Sequence, residues 1–296
     1  MSRVLLLFID GIGIGIDDPG RNPFAVVRSP FLPLYQQNPE PEIPHQGLLI
    51  PTAADLDYPG LPQSATGQTA IFCGINSADA LQRHVAGLPT PTLRKLIDKH
   101  SLFIDLKQRG LRATFANALT EEYFEKLKER ISATTRAQRA GGYAPRMLED
   151  LRQRRAVSHD MTNAFLRRMG YDVPLFSIEE SAHILAGISA EVDFCLFEFV
   201  LSDSVGHKGD LDMAVAIANK LHRFLDALLP AIDLDSTTVL LTSDHGNLED
   251  VSVTTHTTNP VPTLVWGAGR ERCRTSIRTI MDIKTTILSL IPGGLA

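Results

Sequence analysis

Cysteine is nearly missing from this chain. Three thiols, Cys73, Cys195 and Cys273, are spread over 296 residues. Odd in number and far apart, they suit neither a disulfide framework nor a zinc cluster and point to a reducing compartment. An excess of one charge is missing too. Lys and Arg total 29 against 34 Asp and Glu, a formal net charge of −5, with an isoelectric point near 6.0. That balance carries no electrostatic footprint for nucleic acid or an acidic membrane. Long apolar runs are also absent. Residues 4–9 are too short for a signal-peptide core, Asp10 ends them, and nothing reaches the length of a membrane span. The expectation is a cytoplasmic chain with neither a nucleic-acid nor a membrane partner; its oligomeric state stays open. No Walker loop and no HExxH occurs. In "DGIGIG", Ile16 stands where a dinucleotide fingerprint needs its third glycine or alanine.

What is present is an alternation of apolar runs and helical periods, in a chain 44% hydrophobic and 21% charged. The runs "VLLLFID", "LRATFANA", "VDFCLFEFV", "TTVLLTSD" and "PTLVWG" read as buried parallel strands. The clearest helix spans residues 210–228, with Ala214, Ile217, Ala218, Leu221, Leu225 and Leu228 on one stripe. A second starts at an N-cap, Thr120, and runs through Phe124, Leu127 and Ile131. Such alternation predicts an α/β fold, a largely parallel sheet flanked by helices. Proline-rich residues 17–45 form an irregular excursion, and basic residues 132–160 read as part of a small, mainly helical cap. The expected division is an α/β core over residues 1–117 and 176–296, with a cap insertion over residues 118–175.

Ligands of open parallel sheets bind beyond the carboxyl ends of the strands, so the residues standing there matter most. Asp10 follows the first strand. Asp203 follows "VDFCLFEFVLS", with His207 four residues on in "DSVGHKGD". Asp244 and His245 end "TTVLLTSDH", and His256 precedes "PTLVWG". Any one of them has an ordinary explanation as a turn or loop residue; together at one edge they read as metal ligands. Imidazole and carboxylate without thiolate suit zinc or manganese. So many protein ligands exceed what one catalytic ion takes, which makes two divalent ions the economical reading. For a nucleophile, Ser64 in "GLPQSATGQTAIFCGIN" would cap a helix through about Phe72, with Thr66 and Thr69 as rivals. His84, His100, His159, His183 and His222 read as surface or boundary residues, His45 lies in the proline-rich excursion within reach of the site, and Arg146, Arg152, Arg154 and Arg155 read as a solvated face.

Taken in order, "FIDGIG", "SATGQT", "DSVGH", "SDHGN" and "THTTNPVP" resemble the successive motifs of the alkaline phosphatase superfamily. They are most similar to its branch containing cofactor-independent phosphoglycerate mutase and phosphopentomutase. The resemblance implies that Asp203, His207 and His256 hold one metal, and that Asp10, Ser64, Asp244 and His245 hold the other. It also favours Ser64 as the nucleophile, three residues before the motif glycine, Gly67. Two departures stand out: Gln68 replaces the histidine of the mutase branch, and the large inserted domain of phosphoglycerate mutase is absent.

The expected activity is that of a metal-dependent phosphohydrolase, acting on a small-molecule phosphate ester through a phosphoserine at a two-metal site. A phosphomutase is the alternative, because motif similarity is nearest that branch; the small cap favours hydrolysis. Sulfate esters are a related substrate class. A catalytically inert metal-binding interaction protein is the alternative of another kind.

Overall fold

Strand β1 (Arg3–Ile9) has almost no surface of its own, and that sets the layering. In the computed structural model, which describes residues 2–37, 40–291 and 293, Leu5, Leu7 and Ile9 enter one core while Val4, Leu6 and Phe8 enter another. A strand alternates faces residue by residue, so apolar side chains at every position require cover on both sides. The remaining strands are β2 (Leu48–Thr52), β3 (Ala113–Phe115), β4 (Ala118–Leu119), β5 (Arg146–Met147), β6 (Phe194–Phe199), β7 (Thr237–Thr242) and β8 (Val261–Gly267). All but β4 and β5, which pair with each other, form a six-stranded sheet in the order β2-β8-β7-β1-β6-β3.

The α/β class is as expected: β7, β1, β6 and β3 run parallel. Helices Ile178–Ala190 and Leu211–Leu228 cover one face. Helices Ser64–Cys73, Leu102–Gln108, Ala133–Ala140 and Asp282–Leu290 cover the other. The long helix buries its whole expected stripe and Phe224 besides. Among the described residues no helix is long and apolar enough to cross a membrane.

Three expectations change. "PTLVWG", expected to be parallel, runs antiparallel to β7 as β8, and pairs on its far side with β2, which the sequence reading did not anticipate. A parallel return needs a crossover, normally a helix, and none lies between β7 and β8. The helix begun at Thr120 stops at Leu127, where Lys128 takes a φ of 50°, so Ile131 lies beyond it. The excursion over residues 17–45 is irregular apart from a short helix at Pro23–Val27, yet Phe24, Phe31, Leu32 and Leu34 are core residues. Asn38 and Pro39 of that excursion lie outside the described residues. Within residues 118–175, Leu151, Ala156 and Leu166 make a small separate cluster with Val173 and Phe176, whereas Ala133 and Ala137 join the main core.

Gly67 brings the Ser64–Cys73 helix against the end of β7: a Cβ there would stand 2.7 Å from the Asp244 carbonyl oxygen. Gly67→Ala should therefore cost about 1–3 kcal/mol in a urea melt. Gly187→Ala, where a Cβ would meet nothing within 4 Å, should instead stabilise its helix by up to about 1 kcal/mol. Equal effects at the two positions would rule out this close approach.

Candidate metal centre

The reversal of β8 keeps the site on one edge. Because β8 starts where β7 ends, the loop over residues 243–260 stays at the carboxyl lip of the sheet and brings His256 back over it. Asp10 stands one residue past β1, and Asp244 and His245 stand just past β7. Asp203 lies in the helix Leu201–Gly206 that follows β6, with His207 at that helix's C-cap. All of the candidate ligands come together there, in two groups. His245 Nε2 lies 3.4 Å from Asp10 Oδ1, 3.6 Å from Asp244 Oδ2 and 3.1 Å from Ser64 Oγ. Asp203 Oδ1 lies 3.4 Å from His207 Nε2 and 3.5 Å from His256 Nε2. The stacked rings of His245 and His256, with centroids 3.6 Å apart, join the groups. His245 is near enough to Asp203 and His256 to serve either group.

Ser64 differs from its expected position. It is the first helical residue rather than the N-cap; Gln63 takes the cap with no side-chain bond, and the helix runs to Cys73. The Ser64 hydroxyl is thus not consumed in capping and faces His245 instead. The rivals are both occupied and fully buried: Thr66 Oγ1 donates to the Gln63 carbonyl at 3.0 Å, and Thr69 Oγ1 to that of Ala65 at 2.6 Å. The amides of Ala65 and Thr66 both donate to the Val85 carbonyl, so they are not the free anion cradle that a helix start suggests.

The donor set passes a test of fit to divalent ions. A carbonyl only accepts, so the 2.8 Å contacts of His207 Nδ1 with Thr254 O and of His256 Nδ1 with Pro62 O put a proton on each Nδ1. The two Nε2 atoms then turn lone pairs toward each other across 3.2 Å, beside a carboxylate. Such convergence is repulsive unless a cation or a proton is shared. Asp10 Oδ1 is buried with no hydrogen-bond partner, a further acceptor without a donor.

The titration behaviour has the same cause. Burial, then the neighbouring Asp244, pushes the Asp10 carboxyl well above the usual carboxylate range. Asp203 goes the other way: burial would raise it, but bonds with His256 and Asn247 and the nearby imidazoles bring it down to about 2. Burial pushes His245 below the usual histidine value. Burial also disfavours charge on His256, yet bonding to Asp203 outweighs this and raises it.

Comparison with known proteins agrees with that chemistry. Residues 175–292 match the family model described as the metalloenzyme superfamily. The chain is 34% identical over 130 residues to the 2,3-bisphosphoglycerate-independent phosphoglycerate mutase of Dinoroseobacter shibae, covering 41% of this chain and 26% of that enzyme. It is 32% identical over 108 residues to the same enzyme of Acetivibrio thermocellus, covering 34% of this chain and 21% of that one. The family match thus falls on the segment that carries Asp203, His207, Asp244, His245 and His256. The fold is shared over the whole length: the PH0037 protein of Pyrococcus horikoshii superposes with a TM-score of 0.60 at 16% identity, covering 100% of this chain and 98% of that one. Against the curated mutases the matched region is only about a quarter of their length, 26% in the first case.

Sequence reasoning missed residues that hold the lip in shape. Glu249, 1% exposed, accepts from the amides of Gly13 at 2.8 Å and Asn247 at 2.7 Å, from Thr257, and from Asn259 Nδ2 at 3.0 Å. One carboxylate thereby ties the loop after β1 to both ends of the loop joining β7 to β8. Asn247 Nδ2 donates to Asp203 Oδ1 at 2.7 Å. Gln68, the departure from the mutase pattern, donates to Asp244 Oδ2 at 3.1 Å and Asp10 Oδ2 at 3.5 Å. The available signal was a polar run, "GNLED", in a loop whose buried backbone amides must find acceptors. Among the other histidines, His45 stacks on Phe31 and His222 bonds Ser29, so neither joins the cluster.

Glu198, on β6, is buried and accepts from Thr134 Oγ1 at 3.0 Å. Burial raises its carboxyl, Thr134 lowers it, Asp244 raises it again, and it reaches about 7. An unfolded glutamate titrates near 4.5, so the folded state loses stability as pH climbs from there to about 7. In chelator-treated protein at about pH 8, Glu198→Gln should be the more stable by on the order of 2–3 kcal/mol. The gap should close toward about pH 4, and calorimetry across that window checks it.

Proposed function

We propose that the chain is a metal-dependent phosphohydrolase that acts on a small-molecule phosphate ester through a phosphoserine at Ser64. The observation that carries the reading is the placement of Ser64: first turn of a helix, hydroxyl spared from capping, 3.1 Å from His245 Nε2. Asp203, His207 and His256 would hold one divalent ion, and Asp10, Ser64, Asp244 and His245 the other, zinc or manganese. When bound, such ions supply Lewis-acid stabilisation of charge on the phosphoryl oxygens. Ser64 Oγ attacks phosphorus in line as its proton leaves to solvent; the ester P–O bond breaks, and the departing oxygen takes a proton. Water then takes the phosphoryl group from Ser64, releasing inorganic phosphate. Gln68 holds the Asp10 and Asp244 carboxylates in register throughout. Glu249 keeps the surrounding loops from rearranging.

Hydrolysis rather than mutase chemistry is favoured by what lies over the site. A mutase must keep its phosphoenzyme and the dephosphorylated intermediate together and dry. Here the cap available is a set of short helices, Glu121–Leu127, Leu148–Arg152 and Ala164–Arg168, with a small core of its own. Three of its arginines are ion-paired, Arg152 with Glu149, Arg154 with Glu180 and Arg155 with Asp150. Phosphomutase remains the second reading, supported by the curated relatives, which are phosphoglycerate mutases.

Three experiments test this. Asp244→Ala and His256→Ala should each lower zinc or manganese content on elemental analysis and abolish most turnover; full metal and full turnover in either would refute the ligand assignment. Ser64→Ala should lose on the order of 10³-fold in turnover and all covalent label from labelled substrate. Phosphorus NMR with phosphopentoses and phosphoglycerates should show free phosphate; isomer without free phosphate would make the mutase reading the right one, and label on Thr66 would remove Ser64 from its role.

A further inference from the structure

A cavity of about 430 Å³ opens between the sheet edge and residues 118–169, within the range of small-ligand sites. It lies at the same edge of the sheet as Asp10: Glu198 and Val200 of its wall flank Phe199, whose carbonyl accepts from the Asp10 amide at 2.9 Å. Val200 is also the N-cap of the helix carrying Asp203. A leaving group that extends from the lip past Val200 would enter this cavity.

The wall is apolar where it is not already bonded. Phe115, Leu119, Leu127, Phe165, Leu166 and Met169 supply hydrocarbon. The polar members are taken: Thr120 Oγ1 accepts from the Tyr123 amide at 3.0 Å, and the Tyr123 hydroxyl accepts from the Ser132 amide at 2.8 Å. Lys126, the one lysine or arginine in the wall, is ion-paired with Glu122. Burial pushes His159 below the usual histidine value, disfavouring its charged form. With Glu122 and Glu198 as the acids, a second anionic group on the substrate would be desolvated among carboxylates with no free cation to meet it.

From this we infer that the cavity selects phosphate esters whose leaving group is an uncharged, largely apolar alcohol, alkyl or aryl, and rejects those bearing a second carboxylate or phosphate. The inference rests on the phosphohydrolase reading and names the substrate class of that site. The reaction balances as before: the ester P–O bond breaks, its electron pair stays on the alcohol oxygen, and that oxygen takes a proton from water.

The test is a series of n-alkyl phosphates from methyl to octyl, with 1-naphthyl phosphate and 3-phosphoglycerate, assayed on the metal-loaded protein. Expected is a rise in kcat/KM of up to about fourfold per added methylene until the cavity fills, carried mainly by KM. Phosphoglycerate should be the poorest substrate. Phe165→Glu and Met169→Glu, at side chains 39% and 51% exposed and therefore compatible with folding, should flatten the chain-length series. Phe165→Leu should restore it. Turnover that ignores chain length, or that prefers phosphoglycerate, overturns the inference while leaving phosphoryl transfer standing. If no ester is turned over, the hydrolase reading fails, and the cavity is then judged by fluorescence with the neutral probe N-phenyl-1-naphthylamine. Binding weakened about tenfold or more by Phe165→Glu supports an apolar occupant; no binding overturns it.

Discussion

Concentrated negative charge under little solvent is the constraint on which this molecule's architecture turns. Asp10 and Asp244 are buried at the same lip as Asp203, with imidazole lone pairs aimed at them. Carboxylates so placed are costly without a counter-charge, because the low-dielectric interior strengthens their mutual repulsion as much as it would strengthen attraction to a cation. Burial and mutual repulsion push the Asp10 and Glu198 carboxyls above the usual carboxylate range, and bonding to Asp203 raises His256. Divalent ions relieve that repulsion, and the fit of the donors to such ions follows from the same geometry.

Holding that arrangement demands a frame that does not yield. The frame is made by the sheet, whose strands β1, β6 and β7 are covered on both faces and leave only their ends for chemistry. The loops leaving those ends are then cross-tied by buried polar side chains. Glu249 accepts from several loops, Ser243 Oγ accepts from the Ile12 amide at 3.0 Å, and Asn247 reaches Asp203. Glycines at positions 13 and 246 let Glu249 come so close, since a Cβ at either would fall 2.4 Å from its carboxylate oxygen.

The cap has a different physical character from the core beneath it. Its helices are short, its own core is small, and its arginines pair with neighbouring acids on a solvated face, where such pairs contribute little to stability. The cavity it borders is lined mainly by hydrocarbon, whereas the lip of the sheet gathers carboxylates and imidazoles.

The linear chain already determined the α/β class, the strands that end in Asp10 and Asp244, the helix along residues 211–228 and the identity of the candidate ligands. These are properties of local pattern: apolar runs of strand length, helical periodicity, and carboxylate or imidazole side chains placed where such runs stop. Tertiary structure alone decided the direction of β8, and with it the return of His256 to the lip, because strand pairing is a choice between distant segments with no local signature. It alone decided that Ser64 is spared from capping while Thr66 and Thr69 are saturated, a difference of one residue in where a helix starts. Glu249 and Gln68 were legible as polar residues but not as organisers, since a hydrogen bond across more than a hundred positions leaves no periodic trace. The cavity wall was hidden for the same reason. It is assembled from β3, β6 and the short helices of residues 118–169, segments whose meeting is fixed by packing and by nothing in any one of them.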